Sequence, residues 1–112
     1  MKKILIPILA TISLAACKKT NTTYVTDCSS GTKSFATDVK PLMISACSGG
    51  ASCHGSGSQK GPGELINYTQ ISMDKVGIRS DVVSGRMPYG MTLTTAEKNT
   101  IVCWIDNGAL NN

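Results

Sequence analysis

The chain has 112 residues, a formal net charge of +4 at pH 7, five cysteines, one histidine and only 4% aromatic residues. This length suits one small domain with a short additional segment, and so few large side chains have difficulty filling a core unaided. Lys2 and Lys3 account for part of the basicity and no basic cluster follows them, so nothing in the charge pattern favours nucleic acid as a partner.

A signal peptide is predicted at residues 1–16. Two lysines precede an apolar run, residues 4–16, that is too short for a stable membrane-spanning helix. The end of this run, Leu14-Ala15-Ala16-Cys17, resembles the lipobox of bacterial lipoproteins, in which the cysteine thiol is lipidated and the leader is removed. We therefore expect Cys17 to carry lipid. The alternative is an ordinary secretory signal that leaves a free thiol at this position.

The lipobox interpretation gives the protein an expected location. Acyl chains on Cys17 would hold it on a membrane of the bacterial cell envelope, facing the periplasm or the cell exterior. Residues 17–32, rich in Thr, Ser, Asn and Lys, are expected to form a lipidated tether, and residues 33–112 the folded domain. Export to an oxidising compartment also predicts that the later cysteines are bonded.

The apolar pattern of the folded domain predicts an all-α structure with long glycine-rich loops. Apolar residues on one face predict a first helix over residues 34–47, which Pro41 should kink or restrict to a start near Asp38. We also expect a short helix within residues 65–78 and a further helical turn over residues 81–85.

A capping box at Thr94 and Glu97 predicts the start of the last helix. The hydroxyl of Thr94 accepts a hydrogen bond from the backbone of Glu97, and the Glu97 carboxylate accepts one in return. This helix is expected over residues 95–107, with Gly108 as its left-handed stop. Its expected core stripe consists of Ile101, Trp104, Ile105 and Ala109.

Residues 47–54 hold two cysteines and the only histidine of the chain, in the pattern C-x5-C-H. The related pattern C-x-x-C-H marks covalent haem attachment, because two thiols add to the porphyrin vinyl groups and the imidazole ligates the iron. Here the gap between Cys47 and Cys53 is longer. Its small residues, among them Gly49 and Gly50, should let the extra length bulge outward.

Together with this motif, three later features resemble monohaem c-type cytochromes, and most closely the small lipoprotein cytochromes of environmental bacteria. They are a glycine-rich loop, the Met87-Pro88 pair, and a last helix that ends in Trp104-Ile105 followed by Gly108-Ala109. The resemblance covers about residues 34–110. It implies a cytochrome c-like fold, with the first and last helices crossing beside a haem.

The resemblance also implies a set of functional residues. One haem c would be attached covalently through Cys47 and Cys53. Its iron would be held by His54 and Met87, with Met91 as the second candidate for the distal ligand. The implied function is the transfer of single electrons between membrane-associated redox partner proteins, with no enzymatic reaction and no small-molecule substrate.

His54 is the only histidine, which limits the possible metal sites. Type-one copper needs two histidines, and structural zinc needs free thiolates that an oxidising compartment does not favour. If His54 ligates iron, its second ring nitrogen needs a hydrogen bond to fix the ring. We expect a backbone carbonyl of the loop at residues 61–63 to accept it.

By assigning Cys47 and Cys53 to haem, the resemblance leaves Cys28–Cys103 as the expected disulfide among the three pairings that four cysteines permit. An alternative interpretation keeps this pair but joins Cys47 to Cys53 in a second disulfide, with His54 on the surface. The protein would then be a haem-free, disulfide-stapled lipoprotein that acts as a binding or structural module.

Overall fold

Four α-helices and one π-helical turn make up the regular structure of residues 23–112, the part of the chain that this computed structural model describes. The predicted signal peptide and the lipidation of Cys17 lie outside these residues. The helical elements are a π-helical turn at Phe35–Val39, α1 at Lys40–Ala46, α2 at Tyr68–Met73, α3 at Lys75–Ser84 and α4 at Thr95–Asp106. No strand occurs in residues 23–112, which confirms the all-α class, and no helix there has the length and apolar character needed to cross a bilayer.

The first helix widens where the sequence contains a proline. Val39 N donates to Ser34 O at 3.1 Å, and the N–H of Lys40 bonds to Phe35 O, so both bonds span five residues instead of four. Pro41 has no N–H to donate, and its ring would clash with the carbonyl one turn earlier in a regular α-helix. The wider π-helical turn relieves that clash, so the predicted helix begins near its expected start and changes type at the proline.

Asn112 caps the N-terminal end of the first helix. Its carbonyl oxygen accepts from Ala36 N at 2.8 Å and from Ser34 Oγ at 2.8 Å, and its side-chain Oδ1 accepts from Phe35 N at 2.9 Å. The first backbone N–H groups of a helix have no partner within it, so these contacts satisfy them. They also join the last segment of the domain to its first helix.

Helix α3 is longer than the single turn that the sequence predicts. It covers Lys75–Ser84 and ends at Gly85, whose φ of +74° is the left-handed conformation common at the C-terminal end of a helix. Only Ile78 and Val82 of this helix are buried. Because only two of its four apolar residues are buried, the helix leaves a weak periodic signal, and the pattern alone underestimated its length.

The last helix follows its prediction closely. Thr94 Oγ1 accepts from Glu97 N at 3.2 Å, and Glu97 Oε2 accepts from Thr94 N at 2.8 Å, which confirms the capping box. Helix α4 then covers Thr95–Asp106, and Gly108 follows with a φ of +100°. The two donor groups of Thr94 also hold the pKa of the Glu97 carboxyl below its usual value, because they stabilise its charged form.

Replacing Thr94 by alanine is expected to lower the free energy of unfolding by about 1 kcal/mol, the usual effect of removing an N-cap hydroxyl. Urea unfolding followed by circular dichroism measures this change. Thr95→Ala is the matched control, because Thr95 is exposed and its hydroxyl makes no hydrogen bond within the described residues. The control should stay within about 0.5 kcal/mol of the wild type. Equal losses in both variants would show that the cap contributes nothing particular.

The first and last helices meet through aromatic side chains. The ring centroids of Phe35 and Trp104 lie 5.5 Å apart, and the Tyr68 ring lies 5.2 Å from Phe35 in an edge-on arrangement. Trp104 Nε1 donates to Leu110 O at 2.8 Å, so its polar atom is satisfied. The buried core consists of Phe35, Val39, Met43, Leu65, Ile71, Ile78, Val82, Leu93, Ile101, Val102, Trp104 and Ala109.

A disulfide between Cys28 and Cys103 joins α4 to the N-terminal arm, which is the described part of the chain before the first helix. This bond confirms the expected pairing. Cys103 is fully buried. Beside it, Tyr24 donates its hydroxyl to Asn99 Oδ1 at 2.7 Å, and Lys98 Nζ lies 5.1 Å from the centroid of the Tyr24 ring. The arm therefore covers the face of α4 that the apolar stripe leaves open.

Candidate functional site

A cavity of about 320 Å³ is lined by all four residues that the resemblance implies as haem-attachment residues and iron ligands. These are Cys47 at the end of α1, Cys53 and His54 in the following loop, and Met87 just beyond α3. Met91, the second candidate for the distal ligand, is not among the lining residues and is 51% exposed. The tertiary structure thus brings the four together and places Met91 outside.

The cavity wall combines buried apolar side chains with charged groups. The buried ones come from α1, α3 and the loop before α2; they are Met43, Leu65, Ile78 and Val82. The charged ones are Lys60, Asp74 and Asp81. Mostly apolar walls with a few polar groups are typical of cavities that hold a small molecule or cofactor.

The His54 ring is held by the loop that was expected to hold it. Its Nδ1 lies 2.9 Å from the carbonyl oxygen of Gly63, and because a carbonyl can only accept, Nδ1 must carry the proton. This confirms the predicted hydrogen bond from the His54 ring to a carbonyl of the loop at residues 61–63. It leaves Nε2 as the atom with a free lone pair, which is the form a histidine needs to ligate a metal.

The long gap between the two cysteines folds into a closed bulge. His54 N donates to Cys47 O at 3.0 Å, while Cys53 N and Gly55 N both donate to Gly50 O, at 3.0 and 2.9 Å. In a helical turn the carbonyl of a residue bonds to the N–H four positions later, which is the separation of the first cysteine and the histidine in C-x-x-C-H. The bulge lets His54 N and Cys47 O form the same type of bond although five residues, and not two, separate the cysteines.

Gly55 is required by the close packing of this bulge, and Gly55→Ala is expected to lower the free energy of unfolding by about 1–3 kcal/mol. An added Cβ would lie 2.7 Å from Ser48 O and 2.8 Å from Gly50 N, and backbone cannot move aside cheaply. Thermal or urea unfolding measures the loss. Gly49→Ala is the matched control, because a Cβ there meets no atom within 4 Å. A tolerated Gly55→Ala would mean that the bulge can open.

Both cysteines of the motif are free thiols, so the second disulfide of the alternative interpretation is not formed. Burial raises the pKa of the Cys47 thiol to about 11, with a further contribution from the nearby Cys53. Cys47 Sγ also lies 4.0 Å from Met43 Sδ, whereas Cys53 is exposed. The two thiols therefore line one cavity in different environments.

Two carboxylates on the cavity wall were not predicted as site residues. Asp74 precedes α3 and Asp81 lies within it, and both line the cavity. Burial and the neighbouring Asp81 raise the pKa of Asp74, and His54 partly offsets this effect. Asp74, Ile78 and Asp81 are spaced by four and three residues, as on one face of a helix. That spacing was the feature of the sequence from which Asp74 and Asp81 could have been predicted as site residues.

No group of three or more His, Cys, Asp or Glu side chains in residues 23–112 is arranged to hold a metal ion by itself. Comparison of the chain with protein-family models, with curated proteins and with solved structures finds no match. The interpretation of the cavity therefore depends on its own chemistry.

Proposed function

We propose that this chain is a lipid-anchored monohaem c-type cytochrome that carries single electrons between membrane-associated redox partner proteins. The observation that supports this most directly is the shared cavity: two thiols, one imidazole and one thioether from three separate parts of the chain line the same space. Cys47 and Cys53 would form the thioether bonds, and His54 and Met87 would be the axial ligands. The protein would not be an enzyme.

The donor set fits a haem. A porphyrin supplies four nitrogens to its iron, so the protein needs to contribute only two axial ligands and no cluster of three side chains. His54, with its proton fixed on Nδ1 by Gly63 O, has the tautomer for axial ligation. When bound, a haem supplies a one-electron redox couple, and a His/Met ligand pair raises its potential.

The cavity itself suits a cofactor of this kind. Its volume of about 320 Å³ falls in the range of ~300–1,000 Å³ that is usual for ligand pockets. Met43 and Val82, both fully buried, contribute apolar wall that excludes water. The side chains that line the cavity would bind the haem and fix its orientation.

The proposed location draws on two further observations. The disulfide Cys28–Cys103 is a bond typical of exported proteins, which supports maturation in an oxidising compartment. Lipidation of Cys17 would then anchor the domain to a membrane of the cell envelope, close to its redox partners. The proposal includes redox proteins and a membrane as partners, and neither nucleic acid nor a small-molecule substrate.

The test is a reduced-minus-oxidised visible spectrum of the full chain, produced in a host that has c-type haem-attachment machinery. The expected result is a sharp α-band in the reduced state, with the haem retained after denaturation. Intact mass would show whether one haem is added and whether Cys47 and Cys53 both resist alkylation. A colourless, folded protein with an intact Cys28–Cys103 bond would refute the proposal and leave the haem-free, disulfide-stapled module.

A further inference from the structure

The segment that carries Met87 is attached to α3 at two points, and both belong to Asp81. The backbone carbonyl of Asp81 accepts from Met87 N at 3.2 Å. The Asp81 carboxylate forms an ion pair with the guanidinium of Arg86, the residue before Met87. Within the described residues, these are the only hydrogen bonds and ion pairs of residues 86–92.

Asp81 is well placed to act as an anchor because α3 is fixed to the core. Ile78 and Val82, on either side of it along the helix, are buried. Beyond Gly85, residues 86–92 are mostly exposed, with Tyr89 91% exposed, and Pro88 is the only buried residue among them. A loop with so few attachments loses conformational entropy when one of its side chains must stay at a fixed place.

We infer that Asp81 is a positioning residue that keeps the Met87 sulfur at the cavity. This inference rests on the proposed function and goes beyond it. A thioether is a neutral, weak ligand, so the fraction of time it occupies a coordination site depends on how closely its loop is held nearby. By ordering the loop before ligation, the contacts to Asp81 reduce the entropy that ligation must offset.

A second ion pair of the same chemistry provides a control. Arg79 donates to Asp106 through Nε at 2.7 Å and Nη2 at 2.9 Å, joining α3 to α4. Neither residue lines the cavity. Arg79→Gln removes one guanidinium from an ion pair on α3, as Arg86→Gln does, without touching the Met87 loop.

The test uses the haem-containing full chain and titrates the ferric protein with imidazole, which competes with Met87 for the iron. Asp81→Asn and Arg86→Gln should each tighten imidazole binding about two- to five-fold, the range expected from losing an exposed ion pair. The double variant should show no more than either single change, because both remove one interaction. Arg79→Gln should leave imidazole binding unchanged.

Amide hydrogen exchange at Met87 gives a readout that does not involve imidazole. The exchange should become faster in Asp81→Asn and Arg86→Gln and remain unchanged in Arg79→Gln. A haem-bearing wild type whose Asp81 and Arg86 variants behave like Arg79→Gln in both measurements would overturn the positioning role and leave the proposed function intact. A colourless wild type would overturn both.

Discussion

Replacing both Cys28 and Cys103 by alanine is expected to lower the free energy of unfolding by about 4 kcal/mol. The bond joins residues separated by 75 positions, so without it the unfolded chain gains a large conformational freedom. Small domains have a total stability of roughly 5–15 kcal/mol, so the loss is a large share of it. Alanine is preferred to serine because Cys103 is fully buried and a hydroxyl there would add a desolvation penalty. Urea unfolding of the purified domain measures the change.

Chemical reduction provides the control for this disulfide experiment. A reductant should destabilise the wild type to a similar extent and leave the double alanine variant unaffected. It should also loosen the N-terminal arm, whose remaining contacts include the hydrogen bond from the Tyr24 hydroxyl to Asn99. If the double alanine variant keeps wild-type stability, the disulfide does not restrict the conformational freedom of the unfolded chain as its sequence separation predicts.

Replacing Met87 by alanine is expected to lower the reduction potential by on the order of 100 mV, part of the ~0.8 V range over which axial ligands set it. In the proposed arrangement a thioether ligand would favour the reduced iron, and its loss would leave water or another weak ligand in its place. Because Met87 forms no covalent bond to the haem in the proposed arrangement, intact mass should still show one haem attached. Spectroelectrochemical titration measures the potential.

Met91→Ala is the matched control for Met87→Ala. It removes the same side chain four residues later, where the structure exposes it outside the cavity. Its potential and spectrum should equal those of the wild type. If Met91→Ala produces the loss and Met87→Ala does not, the distal ligand is Met91 and the loop must rearrange on haem binding.

Local signals in the sequence were sufficient for much of the fold. The Thr94–Glu97 capping box, the stop at Gly108 and the apolar face of the first helix depend on residues within one or two turns of each other. Short-range hydrogen bonding and side-chain periodicity determine such features wherever the segment lies in the fold. The π-helical turn before Pro41 shows the limit of this reasoning, because the proline predicted a disturbance but not its form.

The site required the tertiary structure. The resemblance placed Met87, in the Met87-Pro88 pair, ahead of Met91, and the tertiary structure adds that Met87 lines the cavity and Met91 does not. Likewise, α3 is stabilised by burial of Ile78 and Val82 against other helices, so its own residues give little indication of its length.

The amino-acid sequence by itself determined the helical class, both ends of α4, the Cys47–His54 motif and the loop that holds the His54 ring. Tertiary structure alone decided that the motif and Met87 line one cavity and that Asp81 contacts the Met87 loop. The physical reason is the separation along the sequence of the residues that determine each feature. Caps and helical faces arise from neighbours in the chain, whereas a cavity is formed by residues far apart in sequence whose positions depend on the packing of the whole domain.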